Sequence, residues 1–496
     1  MMDKEKLKEG LKNWLKDPLN LVFIAVLIFA IILRVYIFSL TSQQPLWWDE
    51  AAYGSLAKNF VSHAWDNTSI IVGEKSIRPP LFPLIWGIFN YIGFGEYAAR
   101  IFLLLIPSIF SVLLVYLIGK EMYSKIAGIT SAFVFSVLWI HLFYTGRLLT
   151  HVPALSLLFL GVYFFVKTFK TEFNAKYFAY SLISASLAAL IRYPKGLIFF
   201  AFLAFLIITN KFYLLKRKDF WISGIAGILP LLIFFAYNLF AQGNAFPVLG
   251  GEGSAAVSET FAFGLLSFIP TYLKTVFFVI FICGLLLAGI ELFLGYDLIA
   301  KDRKIQSHLL IILMLVVIYG YFIFIMRGAE DRWLFSMTLP LSCLAGFACH
   351  SAYELGKSYN KNVIIAIISI LLIFGAYSQI SFANELTKNK ATSYQQMKEG
   401  FEWISNNAPE DAIVLERGAE VYSLYYGNRM YEPMSDDITD FVNTEAKVMV
   451  THVFATQPNY LNSYLQSNQG TWVPVMISFL DSERKQPGFI VYYRVK

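Results

Sequence analysis

The sequence has 496 residues, of which 57% are hydrophobic, 17% aromatic and only 15% charged, and its mean hydropathy is +0.57. Soluble domains average about 25% charged residues, so the composition excludes a soluble globular protein. The net charge of +6 is small for this length, and no loop carries the dense basic stripe of a nucleic-acid-binding protein. The composition therefore predicts a polytopic membrane protein.

The apolar residues fall into eleven blocks, most of which have the length of about 17–25 residues that spans a hydrocarbon core as a helix. These blocks cover residues 19–40, 98–118, 126–143, 152–166, 177–191, 196–210, 221–241, 271–295, 306–326, 334–355 and 362–382. The first block is too long for a signal-peptide core and lacks a small-residue cleavage site, so we interpret it as a retained helix. We predict about eleven transmembrane helices.

Basic residues gather in alternate loops between these blocks. Lysines precede the first block, and Lys or Arg recur in every second loop after it, whereas the loop at 242–270 contains neither. The positive-inside rule then predicts a cytoplasmic N-terminus and an extracytoplasmic C-terminal tail, in a multi-pass protein of the plasma membrane.

From about Asn384 the composition becomes that of a soluble domain. Short apolar runs alternate there with segments of helical spacing, which is typical of a small α/β domain. The runs are Ala412–Leu415, Lys447–Thr451, Trp472–Phe479 and Phe489–Val495, and the helical segments are Ser393–Asn406 and Gln457–Gln466. We predict a membrane domain over residues 1–383 and an extracytoplasmic domain over 384–496, which packs on or caps the membrane part.

The first predicted outer loop, residues 41–97, carries two adjacent carboxylates, Asp49 and Glu50, directly after two tryptophans. Carboxylates at a membrane exit cost free energy unless something nearby uses them. We interpret the pair as an acid/base centre on the non-cytoplasmic face; the alternative is an interfacial turn with a solvated acidic pair. The spacing of apolar residues over 50–65 predicts an amphipathic interfacial helix.

Several predicted outer turns also carry cations, although topology keeps that face poor in them. They are Arg78, Arg147, Arg192, Lys195, Arg327 and Arg332. Each alone could be a side chain that reaches the lipid headgroups. Together with Asp49 and Glu50 they favour another interpretation, because guanidiniums bind phosphate and a nearby carboxylate can take a proton from a hydroxyl. These residue types suit the displacement of a lipid phosphate from a sugar.

A series of motifs in the same order resembles the GT-C class of integral-membrane glycosyltransferases. Within that class the chain is most similar to dolichyl-phosphate-mannose protein mannosyltransferases and lipid A aminoarabinose transferases. The matching pieces are residues 48–53, 78–84, 95–100, Arg147 with 150–153, 189–196, and 331–334 with Pro340. They cover the membrane region to about residue 350.

The resemblance implies a polyprenyl-phosphate sugar donor, used on the non-cytoplasmic face with inversion at the anomeric carbon. It implies that Asp49 is the general base or positions the acceptor, that Glu50 supports it, and that Arg78 lies near the donor phosphate. The remaining residues that would serve phosphate or sugar are Arg147, His151, Arg192, Lys195 and Arg332. The acceptor would be a protein, a lipid or a glycan, and no nucleic acid is involved.

His151 stands where relatives commonly have an aspartate before the proline of the third outer segment. A neutral imidazole can still accept a proton, so we expect either a functional residue or a hydrogen-bonded histidine at a helix start. No residue spacing predicts a metal site. A divalent cation that bridges Asp49 to the donor phosphate is an open alternative.

Two other function classes fit a polytopic chain. A transporter or flippase of a lipid-linked sugar would place charges near mid-membrane and show two related halves, neither of which the sequence has. A non-catalytic membrane scaffold would keep its function without Asp49. The sequence itself fixes neither the sugar nor the choice between a dolichyl and an undecaprenyl carrier.

Overall fold

The computed structural model describes residues 9, 12–61, 78–245, 260–481 and 483–495. Helices make up the part before residue 407, and a small sheet follows it. Among the described residues, seven helices are long and apolar enough to cross a membrane, and four further apolar helices are shorter. The prediction of a multi-pass helical membrane protein with a C-terminal α/β domain is confirmed, whereas the exact number of spans stays a prediction.

The helices of the membrane part follow the predicted blocks closely. They are α1 (Pro18–Thr41), α2 (Trp48–Val61), α3 (Leu81–Tyr91), α4 (Glu96–Met122), α5 (Lys125–Val137), α6 (Trp139–Tyr144), α7 (His151–Thr168), α8 (Ala175–Ile191), α9 (Tyr193–Ile208), α10 (Lys218–Gln242), α11 (Phe263–Leu294), α12 (Arg303–Ile325) and α13 (Thr338–Lys390). Short 3-10 turns at Phe212–Lys216, Tyr296–Leu298 and Asp331–Met337 join some of them.

Each of the eleven predicted blocks overlaps one of these helices. The last two blocks both lie in α13, which is interrupted at Asn360, where φ is −156° and ψ is 101°. Helix α3, in the first loop, was not predicted. Helix α2 forms where a helix was predicted, but residues 62–65 of that prediction lie outside the described residues.

The bundle has two ends, which we name by the residues they carry. The site end is where α1 ends and α4 begins, and the first loop with Asp49 lies there. The opposite end is where α4 ends, and it carries Glu121 and Glu291. Successive long helices run between these two ends, so the described parts of the predicted outer turns lie at the site end.

The C-terminal domain contains one five-stranded sheet of order β2-β1-β3-β5-β4. Its strands are β1 (Val414–Glu416), β2 (Tyr431–Pro433), β3 (Val448–His452), β4 (Trp472–Phe479) and β5 (Pro487–Arg494), and its helices are α14 (Gln395–Asn407), α15 (Glu420–Tyr425), α16 (Ile438–Asn443) and α17 (Leu461–Ser467). β1 pairs in parallel with β2 and β3, whereas β5 is antiparallel to β3 and β4. Four of the strands were predicted, and β2 was not.

This domain packs on the site end, mainly through α15 against α2. As a result α2 is buried between α3 and α15, and Ala51, Ala52, Tyr53 and Ala57 are inaccessible or nearly so. The predicted water-facing side of this amphipathic helix is therefore wrong for the described part of α2, because the C-terminal domain covers it, whereas the position of the helix at the membrane surface stays a prediction. Helix α13 continues to Lys390, so the predicted boundary at 383/384 falls within a helix, and the division into domains stays a prediction.

Candidate active site

The start of α2 places the two adjacent carboxylates in different surroundings. Glu50 is the third residue of the helix, and its carboxylate accepts a hydrogen bond from the Trp47 backbone N–H at 2.5 Å. Such a bond back to the residue before the helix stabilises the first turn. Glu50 Oε2 also lies 3.5 Å from Arg147 Nη1, and both side chains are buried. Burial raises the pKa of Glu50, although the Arg147 and Arg100 guanidiniums oppose the rise.

Arg147 holds several segments together around this buried pair. Its guanidinium lies 3.8 Å from the centre of the Trp47 ring, close enough for a cation–π interaction. It donates to the carbonyl oxygens of Pro45 at 3.3 Å and Lys390 at 3.0 Å. Burial lowers the pKa of Arg147 to about 10, against the opposing charge of Glu50. The contacts of Glu50 and Arg147 are those of a structural pair that ties the first loop to the end of α13.

Asp49 instead lies between two arginines that are distant in sequence. Its Oδ1 is 3.2 Å from Arg78 Nη2, and its Oδ2 is 2.8 Å from Arg332 Nη1. The Arg78 guanidinium also lies 5.0 Å from the centre of the Tyr53 ring. Burial favours the protonated carboxyl, but Arg78 and Arg332 outweigh it and lower the pKa of Asp49. Asp49 is therefore ionised at neutral pH, and each of its oxygens faces a group that could bind phosphate.

The turn that carries Arg332 is held by its own neighbours. Arg332 Nε donates to Glu330, and the Arg332 backbone N–H donates to Asp331 Oδ1 at 2.6 Å. The Tyr272 hydroxyl donates to the Asp331 carbonyl, and the Tyr144 hydroxyl approaches Asp331 Oδ1 at 3.5 Å. Arg332 thus reaches Asp49 from a turn that is fixed to α6 and α11.

Three more of the predicted residues lie together deeper in the bundle, where α7 and α9 begin. We call Arg192, Lys195 and His151 the deep cluster. Arg192 Nη1 donates to the Thr150 hydroxyl at 3.3 Å, and Lys195 Nζ donates to the Ser336 hydroxyl at 2.7 Å. Neither ring nitrogen of His151, which is 1% exposed, has a hydrogen-bond partner among the described residues.

Aromatic rings line the deep cluster, and it is close to the Asp49 site. The His151 ring stacks on Tyr144, with 5.7 Å between centres, and meets Phe335 edge-on at 6.2 Å. Desolvation lowers the pKa of Arg192, and the charges of Asp49 and Arg332 also act on this pKa. The structure therefore brings six of the eight predicted residues into one region and separates Glu50 and Arg147 from them as a buried pair.

Arg100 is a site-end residue that the sequence did not single out, although it closes the quoted motif at 95–100. It is fully buried and donates to Glu96 Oε1 at 2.8 and 3.0 Å, to the Gly146 carbonyl at 2.8 Å and to the Gln44 carbonyl at 2.9 Å. Arg100 thereby fixes the loop before Asp49 against the turn before Arg147. An arginine that follows an acid by one helical turn at the start of an apolar block was the available signal.

The C-terminal domain reaches the same loop. The Leu46 backbone N–H donates to the Tyr426 hydroxyl at 2.9 Å, and the Tyr425 hydroxyl donates to Glu96 Oε2 at 3.1 Å. A side-chain hydrogen bond joins Trp48, next to Asp49, to Glu420 at the start of α15. The domain thus contacts the loop on both sides of the Asp49 carboxylate.

No group of three or more His, Cys, Asp or Glu side chains that could hold a metal ion occurs in the part of the chain that the structure describes. Whether the reaction uses a divalent cation stays untested. Most of the glycine-rich part of the loop at 242–270 also lies outside the described residues.

Comparisons with known proteins relate the fold of the chain to a class of enzymes. Residues 77–237, about a third of the chain, match the family model of dolichyl-phosphate-mannose-protein mannosyltransferase. ArnT from Cupriavidus metallidurans in the apo state superimposes with a TM-score of 0.65 at 12% identity, over 97% of this chain and 98% of ArnT. The chain has the GT-C glycosyltransferase fold. The resemblance to the mannosyltransferase and ArnT-like branch of GT-C enzymes is confirmed.

Two related structures contain lipid phosphates. ArnT bound to undecaprenyl phosphate is similar with a TM-score of 0.64 at 11% identity, over 95% of this GT-C chain and 97% of ArnT. The oligosaccharyltransferase AglB from Archaeoglobus fulgidus, in complex with an inhibitory peptide and a dolichol-phosphate, matches with a TM-score of 0.64 at 12% identity, over 96% of this chain and 74% of AglB. A comparison with curated protein sequences gives no match. At these identities the likeness establishes the fold and leaves the sugar and acceptor open.

Proposed function

We propose that this GT-C protein is an inverting glycosyltransferase that moves a sugar from a polyprenyl-phosphate donor to an acceptor on the non-cytoplasmic face of the plasma membrane. One observation carries the proposal: Arg78 and Arg332 hold the ionised Asp49 at one end of an apolar helix bundle. Such a bundle can accept a polyprenyl chain, and the two guanidiniums can accept a phosphate. Lipid phosphates bound to ArnT and AglB support this class of donor.

The reaction is a single displacement at the anomeric carbon. The acceptor hydroxyl oxygen attacks that carbon from the side opposite the phosphate, and a new carbon–oxygen bond forms. The bond between the anomeric carbon and the phosphate oxygen breaks, and its electron pair leaves with the polyprenyl phosphate. The proton of the acceptor hydroxyl passes to Asp49.

The charges around Asp49 suit this sequence of events. The lowered pKa keeps Asp49 ionised before the donor arrives, so that it can accept a proton. As negative charge grows on the leaving phosphate, Arg78 and Arg332 interact more strongly with it and less with Asp49. The carboxylate then becomes a better base while the leaving group is stabilised, which lowers the barrier.

Glu50 and Arg147 take a different role in this proposal from the one predicted. Because they bind each other and the surrounding backbone, we assign them as positioning residues that hold the start of α2. The other carboxylate oxygen of Glu50, Oε1, is buried and has no hydrogen-bond partner among the described residues. We assign no contact with the donor to either residue.

The test is a transfer assay with purified protein in lipid nanodiscs. The donors are radiolabelled undecaprenyl-phosphate and dolichyl-phosphate sugars, neutral and acidic, and native membranes supply the acceptors. We expect one donor class to transfer its label and release polyprenyl phosphate. Arg332→Met should lower kcat/KM by about 100-fold, since it removes a charge-assisted contact to the leaving phosphate. Arg327→Met, at the same end, is the matched control. A folded protein that transfers no sugar from any donor would refute the proposal.

A further inference from the structure

The deep cluster contains a buried lysine, Lys195, and a partly buried arginine, Arg192, and neither forms an ion pair with a carboxylate of the described residues. Arg192 and Lys195 donate only to the hydroxyls of Thr150 and Ser336 in the contacts that the described residues provide. Lys195 is 2% exposed. A buried cation without an anionic partner is costly, and hydroxyl acceptors repay only part of that cost. The cluster is therefore a built site for an anion.

The arginines beside Asp49, in contrast, are paired with carboxylates. Arg78 and Arg332 face the carboxylates of Asp49 and Glu330, two cations against two anions. The phosphodiester of a polyprenyl-phosphate sugar carries a single negative charge, and these guanidiniums serve it in the proposed function. Arg192 and Lys195 then still have no carboxylate of the described residues within ion-pair distance, so a second negative group on the donor would complete the site.

The surroundings of the deep cluster also suit a small anionic group that lies beside hydrogen-bonding groups such as hydroxyls. Helices α7 and α9 both begin there, and no side chain caps either N-terminus, so their backbone N–H groups add positive potential. His151, buried and without a hydrogen-bond partner among the described residues, is available to donate from one ring nitrogen and accept at the other. Tyr144 and Phe335 bound the cluster with aromatic surface, which suits the apolar face of a sugar ring.

We propose that the deep cluster binds a carboxylate on the transferred sugar, and that the donor is a polyprenyl-phosphate hexuronic acid. Arg192 and Lys195 hold the carboxylate, and His151 bonds a neighbouring hydroxyl. This inference rests on the proposed function and narrows it to one class of sugar. The same cationic chemistry would suit the donor phosphate itself, so the experiment separates the two sources.

The probes are undecaprenyl-phosphate glucuronic acid and undecaprenyl-phosphate glucose, which differ only at carbon 6 of the sugar. Binding to the full chain in nanodiscs is measured by thermal stabilisation and by competition with radiolabelled donor, neither of which needs turnover. We expect the uronic acid to bind at least about 100-fold more tightly, since a site built for a polar group rejects an analogue that lacks it. Lys195→Met and Arg192→Gln should abolish this preference and leave glucose binding within about threefold, with Lys216→Met as the control.

His151→Asp is the second variant, because it places a carboxylate among the two cations. It should occupy the anion site from within and weaken binding of the uronic acid by about 100-fold, whereas binding of glucose, which loses only the hydroxyl contact of His151, should weaken by about tenfold or less. Equal loss of both donors in Lys195→Met would assign the cluster to the phosphate and overturn the proposal. Equal binding of both donors to the wild type, or binding of neither, would also overturn it. Transfer of neutral sugars alone would leave the glycosyltransferase proposal standing and reject only the uronic acid.

Discussion

The charged side chains at the two ends of the helix bundle are paired in different ways. At the opposite end, two acids have close cationic partners: Glu121 contacts Lys167, Lys170 and Arg303, and Glu291 contacts Lys304 and also the His308 ring. Among the described residues of the site end, buried cations outnumber the acids that contact them, and the side chains of Arg192 and Lys195 donate to hydroxyls only. Glu121 and Glu291 at the opposite end have their counter-ions, whereas the cations at the site end could bind an anionic ligand.

Helix starts show the same contrast. Of the six helical segments that begin at the opposite end, five have an N-cap whose side chain accepts a backbone hydrogen bond. These caps are Asp17, Ser124, Asn174, Asp302 and Asn360. The long helices that begin at the site end, α4, α7, α9, α11 and α13, have no such cap. Uncapped helix starts leave N–H donors for an anion, so both comparisons point to the same end.

The largest expected effect is the loss of the base. Asp49→Asn removes the proton acceptor but keeps the shape, so we expect kcat to fall by about 10²–10⁴-fold with little change in thermal stability. Transfer assays and thermal unfolding measure the two quantities. Glu121→Gln, an equally polar change at the opposite end, should lower stability and leave kcat intact. If Glu121→Gln lowered kcat as strongly as Asp49→Asn, the contrast between the ends would be lost.

The neighbouring carboxylate should behave in the opposite manner to Asp49. Glu50→Gln leaves Arg147 buried without its counter-ion and weakens the first turn of α2. Breaking a buried pair in this way costs about 3–5 kcal/mol, so we expect a large drop in thermal stability and in yield. The fraction that folds should keep KM for the donor within about threefold of wild type. A stable Glu50→Gln protein without turnover would show that Glu50 acts in the chemistry after all.

Asp49 and Glu50 show how much of the site could be predicted from the sequence and what could not. The apolar blocks predicted the helices because a membrane imposes length and hydropathy on each span. The ordered motifs predicted Asp49, Arg78 and Arg332 together, since their loops meet at one end of an alternating bundle. The sequence could not separate Asp49 from Glu50, because adjacent carboxylates have the same local pattern. Their different surroundings come from Arg147, Arg78 and Arg332, which approach from distant segments.

The C-terminal domain was harder to place than the membrane helices. Its strands were predicted within two residues at most ends, since alternation and turn residues are local signals. The docking of α15 on α2 was not, because it depends on two surfaces that are distant in sequence. The three-residue strand β2 and the six-residue helix α15 are also too short for a periodic pattern.

A close contact in this interface gives the third prediction. A Cβ placed on Gly54 of α2 would lie 2.4 Å from the Tyr425 ring of α15. Gly54→Ala should therefore push the domain off the Asp49 loop, at a cost of about 1–3 kcal/mol in stability, with about tenfold lower turnover. The double variant Gly54→Ala with Tyr425→Ala should recover part of the turnover. Limited proteolysis between the domains reports the loosening, and an unchanged cleavage pattern would contradict the prediction.

The effect expected to change turnover least is a pH dependence of stability in the C-terminal domain. Burial, with the nearby charge of Glu420, raises the pKa of Glu416 to about 8. The folded chain then holds a proton that the unfolded chain releases near its ordinary pKa. Stability should therefore fall as pH rises through the interval up to about 8, and the loss should be complete above it. Glu416→Gln, which mimics the protonated acid, should flatten this part of the unfolding profile at pH 6–9. The same slope in wild type and variant would contradict the assignment.

The most direct measurement is a cryo-EM structure of the full chain in nanodiscs with undecaprenyl phosphate. We predict that the phosphate lies at the site end, within hydrogen-bond distance of Arg78 or Arg332, and that the lipid tail follows the apolar helices. We also expect the guanidiniums to turn from Asp49 towards the phosphate. A phosphate bound at the opposite end, or one that leaves the contacts of Asp49 with both arginines unchanged, would contradict this prediction.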